Sequence, residues 1–205
     1  FWNSIDQSVA QVAGNLLVGA PAAWAISRLR FRGRSMVRGL YIVLMLLPFQ
    51  VTMVPSYLVL RQFGLLDTPW AIILPGIFST FPVFIMERGF DTVPREVLES
   101  ASIDGANQWQ RFWRIGIPLG IPGLISALTL GFLDAWNAIE QPMTFLESPQ
   151  YWPLSLFFTD PANLDTKQLG LAMAASLWML LPSILAFRFG QTYLEAGLTK
   201  GAVKG

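Results

Sequence analysis

Five stretches of this chain contain no Asp, Glu, Lys or Arg: residues 7–27, 39–60, 68–86, 115–133 and 168–187. Each is 19 to 22 residues long, and at 1.5 Å of rise per residue a helix of that length matches a hydrocarbon core of about 30 Å. A soluble helical bundle would need polar stripes at helical spacing for its solvent faces. The segment LYIVLMLLPFQVTMVPSYLVL (residues 40–60) offers almost none. Charged residues make up 13% of the 205, about half the share usual in a soluble domain. The expectation is an all-α membrane protein with five visible spans. The first stretch is the least apolar, because Gln7, Ser8, Gln11 and Asn15 dilute its first half; such a helix suits a lining of protein rather than lipid.

Charge sets the expected topology. Basic residues cluster at 28–38, at Arg88, Arg95, Arg111 and Arg114, and in the tail at Arg188, Lys200 and Lys204. If the spans alternate, these fall on one side with 12 of the 14 Lys and Arg, and the positive-inside rule makes that side the cytoplasm. Residues 1–6, the loop 61–67 and a longer loop about 139–167 fall on the other side. Phe1 then lies outside and the chain does not open with Met, so a sixth, preceding span is expected. Pro21, Pro48, Pro55, Pro75, Pro82, Pro118, Pro122 and Pro182 lie in or beside the spans, where each removes a backbone donor and favours a kink.

There is no Cys and no His, which excludes disulfides, Cys or His metal sites and His-based triads. The net charge of +1 gives no electrostatic footprint for nucleic acid. No G-x-x-x-x-G-K-[ST] segment is present, so the chain carries no phosphate-binding loop of that type for ATP.

The one long polar interruption is PREVLESASIDGANQWQRFWRIGIPLGIPG, beginning at Pro94. Pro94 and Glu96 suit the start of a helix and Gly105 its stop. Asn107 followed by Gln110 has the form of a capping box for a second short helix, on which Trp109, Phe112 and Trp113 share a face. Pro118 and Pro122 mark the entry to the next span. The residues alone allow an amphipathic linker resting on the membrane surface or a docking hairpin, about 94–116, for a cytoplasmic partner.

The spacing Glu99-Ser100-Ala101, then Gly105, then Ile115, Ile117 and Pro118 resembles the EAA loop of permease subunits of bacterial ABC importers, with Ser for the first Ala and Ile for the Leu. Residues 25–35 (AISRLRFRGRS), 90–107, 134–137 (DAWN) and 197–205 (GLTKGAVKG) resemble the carbohydrate-uptake, maltose-type branch of inner-membrane permeases. The resemblance implies a polytopic helical bundle of the ABC-importer permease type, a single transmembrane domain over 1–205, in a family that normally has six helices. It implies that the hairpin is the coupling helix seated in a cleft of a cytoplasmic ATPase. On that basis Glu99 is the principal coupling residue. Ser100, Ala101, Asp104, Gly105, Trp109, Arg111 and Pro118 form the rest of the contact. Gly105 would serve a sharp turn or a close approach, and the tail Lys residues either sit near anionic lipid or touch the ATPase.

The same resemblance implies partners: a second permease, expected to be a different chain, two copies of the ATPase that binds ATP and Mg, and an extracytoplasmic solute-binding protein. It places the chain in the inner membrane of a bacterium with a cytoplasmic C-terminus. No cofactor or metal is expected in the chain itself. Intramembrane polar residues are costly in lipid, which makes Asp134, Asn137 and Glu140, three residues apart on one helical face near the outer end of the fourth visible span, candidates for the cavity. Trp136, Trp178 and Phe132 are candidates for stacking on a sugar ring; packing, partner contact and the membrane interface are the competing roles. A sugar or oligosaccharide importer is the leading function. The hairpin motif reports on the engine, so a phosphorylated polyol, peptide or amino acid remains open as cargo. A membrane scaffold is a weaker alternative, and an intramembrane enzyme weaker still because Asp134 with Glu140 defines no reaction.

Overall fold

The computed structural model describes residues 1–157, 159 and 169–202, with side chains described for 1–157, 159 and 170–194. Its helices are α1 (Trp2–Arg28), α2 (Arg34–Leu46), α3 (Phe49–Gln62), α4 (Trp70–Ile77), α5 (Thr80–Asp91), α6 (Arg95–Ile103), α7 (Gln108–Arg111), α8 (Ile117–Asn137), α9 (Glu140–Phe145), α10 (Leu154–Phe157) and α11 (Leu169–Ala202). A π-turn, Phe112–Gly116, joins α7 to α8. Among the described residues there is no strand. Asp160, Asp165, Lys167 and Lys204 lie outside the described residues, as does the side chain of Lys200.

Four helical runs are long and apolar enough to cross a membrane: Trp2–Arg28, Trp70–Asp91, Gln108–Asn137 and Gly170–Leu194. The stretch 39–60 qualifies only as the broken pair α2 and α3. The break follows from Pro48, which caps α3 in extended geometry (φ −67°, ψ 152°). Its ring pushes the preceding Leu47 out of the helical region, and its missing N–H removes a rung of the ladder. Pro118 acts less severely. It would leave the Arg114 carbonyl without its helical donor, and the chain widens instead, with the Ile117 N–H reaching back to the Phe112 carbonyl. The hairpin's second helix therefore runs into α8 without a break.

The chain forms two compact units. The first comprises Phe1–Gly14, Leu47–Phe78 and Gly131–Arg188, around Leu60, Ala71, Ile72, Phe145 and Leu146. The three segments that charge assigned to one side meet here. Asn3 Nδ2 donates to the carbonyls of Gln150 (2.7 Å) and Trp152 (3.1 Å), and Gln7 Nε2 donates to that of Tyr151 (2.8 Å). The Leu154 N–H donates to Ser4 Oγ at 2.6 Å. The polar half of the first stretch is thus lined by protein: Gln7, Ser8, Gln11 and Asn15 are all buried, as is Ser4 just before it.

Asp67 fastens the loop 61–67 to the segment after α9. It sits in the left-handed region at φ 56°, tolerated by Asp better than by most residues. Its carboxylate accepts from the N–H groups of Glu147 (2.9 Å) and Ser148 (2.7 Å) and from Ser148 Oγ (2.5 Å). The Ser148 hydroxyl, then its N–H, then that of Glu147 hold the carboxyl below its ordinary value near 3.8, because each donor favours the charged form. The stabilisation is fully present above the unfolded value and is lost as pH falls through the depressed folded one. Amide exchange at Glu147 and Ser148 should accelerate in that acid window. Asp67→Ala should produce the same loosening at neutral pH, and Asp67→Asn, which keeps one acceptor, less of it. Unchanged exchange in Asp67→Ala would refute the clamp.

The second unit comprises Asn15–Leu46, Ser79–Leu130 and Phe189–Gly205. Its core is Ala20, Ala23, Trp24, Val83, Met86, Phe90, Phe112, Leu124 and Ala127. Here the basic segments meet: Arg28 donates to the carbonyls of Phe90 (2.9 Å) and Val93 (2.6 Å), and Arg38 pairs with buried Glu87 and with Asp91. Gly89 on α5 and Gly123 on α8 bring two backbones into contact. In α11 the apolar run Gly170–Leu194 is scarcely buried within the chain, as suits a helix whose surroundings are lipid or another subunit.

Candidate functional site

The hairpin 94–116 belongs wholly to the second unit and is built from its turn outward. Pro94 caps α6 in extended geometry, and Glu96 lies in the first turn near the positive end of the helix. The helix is closed by Gly105 at φ 83°. The Ala106 N–H reaches the Ala101 carbonyl (2.9 Å) and the Gly105 N–H that of Ser102 (3.2 Å), a left-handed stop that suits Gly. A Cβ on Gly105 would meet nothing within 4 Å, so within this chain the residue serves the turn and no close approach. Asn107 then opens α7 with a complete capping box: its side chain accepts from the Gln110 N–H (2.8 Å), and the Gln110 side chain accepts from the Asn107 N–H (2.9 Å).

The three aromatics divide their labour. Phe112 is 1% exposed and packs among Trp24 and Phe90, a burial worth about 1.5–3 kcal/mol. Trp109 stacks on Phe112 at 5.5 Å and Trp113 meets it edge-on at 5.1 Å, but both remain more than half exposed. Neither α6 nor α7 buries a residue. Glu99, Ser100, Asp104 and Gly105 are exposed and Ala101 is half-buried. Ser100 Oγ back-bonds to the Glu96 carbonyl at 2.9 Å. Ile103, which the sequence reading passed over, is 87% exposed. A large apolar residue at the tip of a polar hairpin could have flagged it.

The candidate cavity residues do not share one helical face. The fourth visible span ends at Asn137, whose side chain returns to the Leu133 carbonyl (2.7 Å), and Ser155 Oγ takes up the Ala138 carbonyl (2.6 Å). Glu140 opens α9 instead, where its carboxylate accepts from Gln50 Nε2 at 2.8 Å. Asp134 and Asn137 are exposed. Trp136 is 1% exposed, stacked on Phe132 at 5.7 Å, and its indole N–H donates to the Met179 carbonyl, tying α8 to α11 within the first unit. Trp178 is 57% exposed and meets Phe1 edge-on. Among the described residues no three acidic side chains converge as metal ligands.

Residues 15–200 match the family described as "binding-protein-dependent transport system inner membrane component". The chain is 33% identical, over all of its length and 74% of the relative's, to the inner membrane ABC transporter permease protein YcjP of Escherichia coli (strain K12). It is 32% identical, over all of its length and 76% of the relative's, to the diacetylchitobiose uptake system permease protein DasC of Streptomyces coelicolor. Among solved structures, a bacterial ABC transporter involved in the import of the acidic polysaccharide alginate shares the fold, with a TM-score of 0.72 at 24% identity over the whole chain and 74% of that structure's chain.

Proposed function

This chain belongs to the binding-protein-dependent transport system inner membrane component family, and from that premise we propose that it is a permease subunit of an ATP-driven importer of a sugar or oligosaccharide. The cargo class rests on relatives named for diacetylchitobiose and, at 29% identity, for arabinooligosaccharides and lactose. ATP and Mg would be bound by a separate ATPase, present in two copies and seated on the hairpin from the cytoplasm. An extracytoplasmic binding protein would deliver substrate, and a second, different permease would cover the exposed run of α11 and supply the other half of the path. Residues 1–205 act as one permease domain, with the C-terminus cytoplasmic.

The observation that carries the coupling role is the hairpin's surface. The capped turn leaves Ile103 and Trp109 exposed on the same short hairpin as exposed Glu99 and Asp104, and neither α6 nor α7 buries a residue. An apolar anchor ringed by polar groups is the arrangement of an interface centre. Because α7 continues through the π-turn into α8, a pull on Arg111 would pass along one helical run into the membrane, and a pull on Glu99, Ser100 or Ala101 would reach that run through the Gly105 turn. Pro118 lies at the junction, just after the π-turn. Asp134, Asn137 and Glu140 remain the polar groups available to the path, with Trp136 holding the helix that carries two of them.

Ile103→Glu is the direct test. An exposed side chain contributes little to folding, so thermal stability should stay within about 0.5 kcal/mol of wild type. The loss of a central anchor should weaken ATPase retention roughly 30-fold, the equivalent of about 2 kcal/mol, and transport should fall with it. Native mass spectrometry of the complex reads both composition and retention. An undiminished ATPase in the variant would sink the docking role of the hairpin, and a complex lacking any ATPase would sink the importer reading.

A further inference from the structure

A second feature of the hairpin region faces inward. Between the end of α1, the segment that follows it, α6 and α7 lies a cleft of about 450 Å³, within the size range of small-molecule sites. Five guanidinium groups line it, those of Arg28, Arg30, Arg34, Arg95 and Arg111, against one carboxylate, Glu99. Two of the five are fixed by neutral acceptors: Arg28 on the Phe90 and Val93 carbonyls, and Arg34 Nε on the Ile26 carbonyl at 2.6 Å. Those bonds orient the side chains and add no negative charge. Asp91, a carboxylate that acts on Arg28, is shared with Ser27 Oγ (2.7 Å) and Arg38.

Two residues of the cleft wall also carry buried donors without acceptors. The indole N–H of Trp24, a lining residue only 4% exposed, and the buried Nε–H of Arg111 have no hydrogen-bond partner in the protein. An unsatisfied buried donor is costly, and so is a set of like charges. A compact anion with several acceptor oxygens relieves the like charges. The planar fork of Arg matches phosphate oxygens in a way few other groups do.

We infer that this cleft is a binding site for a phosphate group, carried either by an anionic phospholipid headgroup or by a small soluble phosphate. The inference stands on the cleft alone and does not depend on what seats on the outer face of the hairpin. Arg30 and Arg95 are its exposed members and would complete the shell around the anion, while Arg28 and Arg34 are held in place beneath.

The chain has no Cys, so Ser102→Cys places a single reporter in the cleft wall of this subunit. Its rate of maleimide labelling, read by mass spectrometry of the intact assembly in nanodiscs, measures occupancy. Phosphatidylglycerol nanodiscs should slow labelling about tenfold relative to phosphatidylcholine if the source is lipid. In phosphatidylcholine, inorganic phosphate should slow it relative to chloride of equal ionic strength if the source is soluble. Near a membrane surface each basic residue contributes about a fivefold factor in affinity, so Arg30→Gln with Arg95→Gln should weaken the protecting ligand about 25-fold. Both positions are exposed, so the fold should survive. Absence of protection by either source overturns the inference, as does protection that persists undiminished in the double variant. Protection that is independent of lipid and phosphate but vanishes when partner subunits are stripped would assign the cleft to a protein contact, and would overturn it too.

Discussion

Gly123→Ala should be among the most destabilising single-methyl additions in this chain. A Cβ at Gly123 would lie 2.3 Å from the Cα of Gly89, and one at Gly89 would lie 2.6 Å from the Cα of Gly123. Carbon atoms settle at about 3.5–4.0 Å, and the obstructing atom in each case is backbone, so no rotamer change can make room. Helices α5 and α8 would have to part by about an ångström. Met86, Phe90, Leu124 and Ala127, all close to fully buried, would lose contact with them. Overpacking a core costs about 1–3 kcal/mol, and this contact belongs at or above the top of that range. In lipid, where apolar area gives little drive for helix association, close backbone approach through small residues is itself a principal source of attraction.

The internal control is Gly39, on α2, where a Cβ would meet nothing within 4 Å. Gly39→Ala should be neutral or stabilising by about 0.4–1 kcal/mol, because it restricts the unfolded chain. Gly120→Ala falls between the two: its obstruction is the edge of the Phe90 ring at 2.8 Å, a side chain that can shift at some cost. Thermal unfolding of the three variants in detergent should rank them Gly123, Gly120, Gly39 in order of damage. A Gly123→Ala protein within 0.5 kcal/mol of wild type would refute the contact.

The glycine pair was not legible in the sequence, although Pro118 and Pro122, just before Gly123, mark the entry to its span. One glycine in a Pro- and Gly-rich membrane helix is unremarkable, and only tertiary structure says which of several meets another backbone. Charge and length, by contrast, were highly legible. They placed four of the five spans as continuous helical runs, and they grouped residues 1–6 with the long loop that hydrogen-bonds to Asn3 and Ser4. The capping box at Asn107 was legible because it is a local device. The break at Pro48 was half legible: proline was noted in the window, but whether it bends a helix or divides it depends on what accepts the freed carbonyl. The spacing of Asp134, Asn137 and Glu140 misled because helical periodicity was carried past the point where Asn137 and Ser155 end the helix.

Arg38→Met should be the second severe lesion, for an electrostatic reason. Glu87 is 3% exposed and sits on α5 one turn before Asp91; the Arg38 guanidinium bonds to Glu87 and reaches Asp91 at 3.3 Å. Helix α2, which carries Arg38, has no buried residue, so its attachment to α5 leans on this bridge and on Tyr41, partly buried against the core. Removing Arg38 strands a carboxylate away from water. Breaking a buried pair from one side typically costs about 3–5 kcal/mol, whereas replacing both partners by neutral groups can be nearly neutral. Arg38→Met combined with Glu87→Gln should therefore recover much of what Arg38→Met alone loses, a coupling between about 0.5 and 3 kcal/mol for groups in contact. Arg38→Lys should fall between them, since it keeps the charge but not the fork that spans two carboxylates. Amide exchange along α2, measured beside global stability, distinguishes detachment of that helix from general unfolding. If Arg38→Met is no more damaging than Glu87→Gln, the bridge is not what holds α2 to α5, and the attachment must be assigned to Tyr41.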